Sequence, residues 1–233
     1  MAAGRYSSTL RLPGLQAFLW TQFLGAFNDN VYKIIVSFFA VRTLGPATGM
    51  PLATAIFVAP FLIASGWSGH LADTRSKRRV IVQCKVLEVV AMVLAIPALM
   101  SGRLDWQLGV LFLMGLQSTF FSPAKYGIVP QIVPTEDLSR ANGLLEMSTF
   151  AAIILGTAAG GELFQRWNAE PMLMGVVLVA IAIAGTLASL AIPPVAAAAS
   201  GQRAALNPFS EIGLGMARLT SDRTLLMTVV GIS

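Results

Sequence analysis

Gly69-His70-Leu71-Ala72-Asp73-Thr74-Arg75-Ser76-Lys77-Arg78-Arg79 is the stretch that decides the fold. It places four cations, Arg75, Lys77, Arg78 and Arg79, in five positions beside a single acid, Asp73. Apolar runs long enough to cross a bilayer flank it on both sides. A short basic turn between two such runs marks a cytoplasmic loop, because cytoplasmic connections carry the excess of Lys and Arg. Working outward from this turn assigns the rest of the chain to a membrane.

Composition agrees. Of 233 residues, 55% are apolar and 12% charged, and the mean hydropathy is +0.72. A soluble domain carries roughly 25% charged residues. The net charge of +5 raises the question of nucleic acid. The cations fall in short clusters between apolar runs, with no basic face interleaved with aromatics, so orientation in the bilayer accounts for them and no nucleic-acid partner is expected. A lone cysteine, Cys84, rules out an intramolecular disulfide, and a lone histidine, His70, cannot build a His-based metal site. The chain has no G-x-S-x-G elbow, phosphate loop or dinucleotide fingerprint. Accordingly, no catalytic residue, metal or cofactor is assigned.

The expected fold class is all-α, a polytopic membrane protein. Residues 1–14 are polar and form a cytoplasmic N-terminal segment, and a transmembrane bundle follows over 15–193. Its six helices are predicted over 15–41, 43–72, 80–100, 106–124, 141–163 and 171–192. Gly45-Pro46 separates the first two, and Ser122-Pro123-Ala124-Lys125-Tyr126-Gly127 is predicted to break the fourth, since proline and glycine oppose helix continuation. Pro193-Pro194 stops the sixth. Residues 194–222 read as a cytoplasmic linker. An apolar run then begins, but 223–233 is too short to span a bilayer that needs about 20 residues. The chain is therefore expected to stop inside a seventh helix.

Alternating the loops across the bilayer collects Arg5, Arg11, Arg75, Lys77, Arg78, Arg79, Lys125, Arg140, Arg203, Arg218 and Arg223 on one side, and Arg42, Arg103 and Arg166 on the other. Eleven against three puts the N-terminus in the cytoplasm.

Charges inside the bilayer mark the functional candidates. A charged side chain at mid-membrane costs at least ~2.5–3.5 kcal/mol on insertion scales, so it faces a cavity or a partner. Gln22, Gly25, Asp29, Lys33 and Ser37 recur every three or four residues and share one helix face. Asp29 and Lys33 lead the candidates, with Asn28 and Tyr32 adding polarity beside them. The competing reading is a local i,i+4 ion pair that resolves its own burial. Glu146, in a stripe with Asn142 and Thr149, has similar standing. Its structural alternative is a tie to Lys33, Lys85 or a backbone group. Lys85 and Glu88, three apart, are expected to satisfy each other near the cytoplasmic end. Lys125 is either a snorkelling interfacial lysine or a ligand for an anionic head group. Gly156 and Gly160, four apart, suit close packing of two membrane helices.

Four segments carry a family resemblance. In the basic loop, Gly69, Asp73, Lys77 and Arg78 match the signature of the major facilitator superfamily, while Thr74 stands where a basic residue is usual and Ser76 where glycine is. Gln22-Phe23-Leu24-Gly25-Ala26-Phe27-Asn28-Asp29-Asn30 resembles the first helix of its lysophospholipid transporter branch. Phe120-Phe121-Ser122-Pro123-Ala124-Lys125-Tyr126-Gly127-Ile128-Val129-Pro130 and Ala141-Asn142-Gly143-Leu144-Leu145-Glu146-Met147 resemble that branch around the fourth and fifth helices. The resemblance runs from about residue 16 to 192.

It implies the six-helix N-terminal half of the facilitator fold, built as two three-helix repeats, with a C-terminal six-helix half as the missing partner. The implied cargo is a lysophospholipid such as lysophosphatidylethanolamine, moved to the cytoplasmic leaflet of the bacterial inner membrane. Asn28, Asp29, Lys33, Lys125 and Glu146 would lie along the path. The loop of Gly69, Asp73, Arg75, Lys77 and Arg78 would act as a conformational latch. Some members of the branch are fused to an acyltransferase and an acyl-carrier-protein ligase, which gives the first alternative reading. An exporter of another small molecule gives the second. No arginine occurs over 106–124, and Thr157 replaces the proline of the antiporter signature, so the resemblance does not extend to proton antiport.

Overall fold

The computed structural model describes residues 9–10, 12–167, 169–197 and 221. Arg5, Arg11, the linker beyond residue 197 and the start of the expected seventh helix lie outside the described residues.

Among the described residues the bundle has six long helices: α1 (Pro13–Leu44), α2 (Pro46–Thr74), α3 (Lys77–Met100), α4 (Leu104–Ile132), α5 (Leu138–Trp167) and α6 (Pro171–Leu190). Prolines at the first turn of α1, α2 and α6 occupy the position where a missing N–H costs nothing. Gly45 alone turns α1 into α2, and its φ of 80° lies in the region that favours glycine. Between α4 and α5 lies a single 3-10 turn, Thr135–Asp137.

Most boundaries shift by two to four residues from those predicted, and the end of α4 shifts by eight. α4 does not break at Pro123; it runs to Ile132 with Pro123 and Pro130 inside it. Neighbouring helices and local backbone adjustment make such prolines tolerable in a membrane helix. Here Ala124, Ile128 and Val129 bury against Val80, Ile81, Ala141 and Leu145, which gives the continued turn apolar support. Consequently Lys125 lies in a helix and is only 7% exposed, so it does not belong to the loop charges. The basic stretch is also mostly helical. Gly69 and Asp73 lie on the last turns of α2, Lys77 and Arg78 begin α3, and only Arg75 and Ser76 intervene.

The packing of α1 on α5, α2 on α4 and α3 on α6 dominates the bundle. On α5, a Cβ at Gly156 would come 2.6 Å from the Phe27 carbonyl oxygen, and one at Gly160 2.8 Å from that of Val31. Any larger residue there would push α5 off α1. α2, α3, α6 and the stretch holding α5 are long and apolar enough to cross a membrane on composition alone. α1 and α4 are longer than α3 and α6 yet fall short, because they carry Gln22, Asp29, Lys33, Gln117 and Lys125.

Two apolar clusters close the two ends. One gathers Val31, Ile35, Met92, Leu99, Met114 and Phe164, and the other Leu15, Phe18, Val80, Ile81, Ile128 and Leu145. The polar residues of α1, α3 and α4 fall between the two, at the middle depth of the bundle.

Candidate functional site

A cavity of about 300 Å³ opens between those clusters. α1 contributes Gln22, Gly25, Asp29 and Asn30, and α3 contributes Lys85 and Glu88. Gln117, Ser118, Ser122 and Lys125 come from α4. Phe57, Phe61, Phe121 and Ile153 form apolar walls. The volume lies at the small end of the ligand-pocket range of roughly 300–1,000 Å³, which suits a polar head group better than a whole lipid.

Asp29 is held from α4. The Ser118 hydroxyl donates to its Oδ2 at 2.6 Å and itself accepts from the Gln117 amide at 3.0 Å. The other oxygen, Oδ1, is buried and has no hydrogen-bond partner. Lys33 does not pair with it. Its ammonium donates to Asn30 Oδ1 at 2.8 Å and lies 5.5 Å from the centre of the Phe57 ring, outside the cavity lining.

A second cluster stands across the cavity. Lys85 and Glu88 form an ion pair with both side chains only 1% exposed. Asn28 donates to Glu88 Oε1 at 3.1 Å and stands behind the lining, while its own Oδ1 has no partner. Lys125 donates to the Thr149 hydroxyl at 3.0 Å, and Gln22 donates to the same oxygen at 2.6 Å.

Of the five path candidates, the structure brings Asp29 and Lys125 to the cavity wall. Asn28 and Lys33 lie one contact behind it. Glu146 is elsewhere: it accepts from the Tyr126 hydroxyl at 3.1 Å, an exposed contact between α4 and α5. Spacing alone placed Lys85 and Glu88 near the helix end and made them a self-contained pair. In fact α3 begins at Lys77, so Glu88 is the twelfth of its 24 residues and stands at mid-helix. The polar run Gln117-Ser118 and the stripe through Ser122 and Lys125 are the sequence signals for the α4 wall.

The loop residues have distinct placements. Arg78 donates to the carbonyls of Ile192 at 2.6 Å and Leu190 at 3.0 Å, satisfying the C-terminal end of α6. Ser76 donates to the Val195 carbonyl at 2.7 Å. Lys77 is buried, and its stem fills the space that a Cβ at Gly127 would take. Arg75 and Asp73 are exposed, and Asp73 makes no ion pair among the described residues.

The profile of the Major Facilitator Superfamily matches residues 18–233. Lysophospholipid transporter LplT of Yersinia enterocolitica serotype O:8 / biotype 1B is 36% identical over 188 residues, which is 81% of this chain and 44% of that protein. The protein of the same name from Yersinia pestis strain Pestoides F is 37% identical over 185 residues, 79% of this chain and 43% of the relative. The chain thus spans less than half the length of these curated relatives. A crystal structure of a POT family transporter in complex with a thioalcohol-conjugated peptide superposes with a TM-score of 0.63 at 16% identity, over 94% of this chain and 46% of that one. At that identity the likeness concerns the fold alone.

Proposed function

Because the chain belongs to the Major Facilitator Superfamily, we propose that the protein is a multi-pass membrane transporter, not an enzyme, and that its cargo is a lysophospholipid such as lysophosphatidylethanolamine. Transport runs by alternating access to the cytoplasmic leaflet of the bacterial inner membrane, with the N-terminus in the cytoplasm. The observation that carries the reading is the mid-depth cavity, where Asp29 keeps one oxygen unpartnered between apolar walls. Two relatives named lysophospholipid transporters, about 37% identical over about 80% of the chain, support it.

A zwitterionic lysolipid needs an anion for its ammonium, a cation for its phosphate and an apolar wall for its chain. Asp29 supplies the first, Lys125 is one source of the second, and Phe57, Phe61 and Ile153 the third. Charge-assisted hydrogen bonds in a cavity sheltered from water are the stronger class of such contacts. The six helices form two three-helix repeats, a reading supported by the matched pairings of α1 on α5 and α4 on α2. A second six-helix half completes the path. The Arg78 contact on α6 holds one state of the latch, which also involves Gly69, Asp73, Arg75 and Lys77.

The test is transport of lysophosphatidylethanolamine by the full-length protein in proteoliposomes. Transport is expected in the wild type, with a loss of at least about tenfold in Asp29→Asn, the scale of one hydrogen bond to a charged group. No wild-type transport of this lipid, or an unaffected Asp29→Asn, overturns the reading.

A further inference from the structure

Lys85 presents a problem that its ion pair with Glu88 does not solve. The pair is three residues apart on one helix and could close on the helix surface without help from elsewhere. Yet two other helices make room for the lysine. A Cβ at Gly25 of α1 would stand 2.8 Å from its Nζ, and one at Gly185 of α6 would stand 2.9 Å from both Cε and Nζ. The side chain thus passes between two glycines to reach the cavity wall. Burying two ions carries a heavy desolvation cost, and apolar residues of the same volume are often at least as stable, so stability alone gives no reason for the arrangement.

The donor inventory supplies one. An ammonium has three N–H donors. Among the described residues, Glu88 takes one from Lys85, and no other side-chain or backbone acceptor is hydrogen-bonded to that nitrogen. Glu88 is engaged on both oxygens, by Lys85 and by Asn28. The cavity therefore meets a carboxylate already occupied beside an ammonium with donors to spare. Lys125, which donates to Thr149, also keeps donors free, but no glycine of a neighbouring helix makes room for it as Gly25 and Gly185 do for Lys85, and Lys33 is turned toward Asn30 outside the lining.

We propose that Lys85 is the residue that recognises the phosphate of the lysophospholipid, with Glu88 as the counterion that the phosphate displaces and Gly25 and Gly185 forming the slot that delivers the ammonium. The phosphate takes the spare donors of Lys85, and the head-group ammonium goes to the free oxygen of Asp29. This inference rests on the lysophospholipid reading above and specifies which cation serves it.

The experiment compares two ligands of equal chain length, lysophosphatidylethanolamine and a monoacylglycerol that lacks phosphate, on the full-length protein in detergent and in proteoliposomes. The double variant Lys85→Met/Glu88→Leu removes both charges together and avoids stranding either one. It is expected to keep its thermal stability and its monoacylglycerol binding while losing roughly tenfold to a hundredfold in affinity for the phosphate lipid, the worth of one hydrogen bond to a charged group. Glu88→Gln keeps the ammonium and removes the competing charge, and its affinity for the phosphate lipid is expected to rise. A purely structural pair predicts a fall instead. Wild-type affinity in the double variant, an equal loss for both ligands, or weaker phosphate-lipid binding by folded Glu88→Gln would each overturn the proposal. A wild type that transports no lysophospholipid sinks the parent reading instead, so the two failures are distinguishable.

Discussion

α1 and α3 each carry an acid and a base within one helical turn, and they dispose of them in opposite ways. On α3, Lys85 and Glu88 close on each other and are buried to 1% exposure. On α1, Asp29 and Lys33 stay apart: the acid turns to Ser118 of α4 and the base to Asn30. Spacing permits pairing in both cases, so spacing does not decide it. What decides is the supply of polar groups from neighbouring helices. α4 presents Ser118 and Gln117 to Asp29, whereas α1 and α6 present Gly25 and Gly185 to the ammonium end of Lys85, and its one hydrogen bond goes to Glu88 of its own helix. A carboxylate with an outside donor can leave one oxygen free for a ligand. An ammonium without an outside acceptor must bring its own counterion.

The contrast can be broken experimentally, beginning with the pair that closes. Glu88→Ala strands the Lys85 charge in the bundle and is expected to cost about 3–5 kcal/mol, read from the unfolding of the purified protein in detergent. A loss under about 1 kcal/mol would mean that the pair is not buried as described. Ser118→Ala comes next. Removing the donor to Asp29 is expected to cost roughly 1.5–3 kcal/mol in the same measurement. It also frees Asp29 to reach Lys33, so Lys33→Met should become more harmful in that background than alone, a coupling that a double-mutant cycle measures.

Lys33→Met by itself is expected to change stability by less than about 1 kcal/mol, because its hydrogen bond is to a residue of its own helix and it is only half-buried. A larger cost would reinstate the pairing with Asp29. Smallest of all is Glu146→Gln. The amide still accepts from Tyr126, so transport of the lysolipid should stay within about twofold of wild type, well under the tenfold of 1.4 kcal/mol. A tenfold loss would put Glu146 back on the path.

Much of the bundle was legible in the residues themselves. Apolar run length and the basic turn at 75–79 place six helices, and helical periodicity puts Gln22, Gly25 and Asp29 on one face, all three of which line the cavity. The same periodicity failed for Glu146, whose stripe with Thr149 diverges: Thr149 reaches the cavity and Glu146 reaches Tyr126. The helix-breaking signal of proline and glycine failed at Pro123, where α4 continues to Ile132. A proline signals a break only where nothing supports the next turn, and here Ala124, Ile128 and Val129 have apolar neighbours on α3 and α5.

The amino-acid sequence by itself determined the membrane character and the six long helices of the described residues. Each of these follows from local quantities, namely run length, period and the clustering of cations. Only the tertiary structure decided which charge faces which. Hydrogen-bond partners at mid-depth come from residues far apart in the chain, 89 positions for Asp29 and Ser118 and 60 for Asn28 and Glu88. No local pattern encodes such a meeting; it depends on which helices touch and on the glycines that let them, and with no water in the hydrocarbon to satisfy a lone polar group, those contacts settle its role.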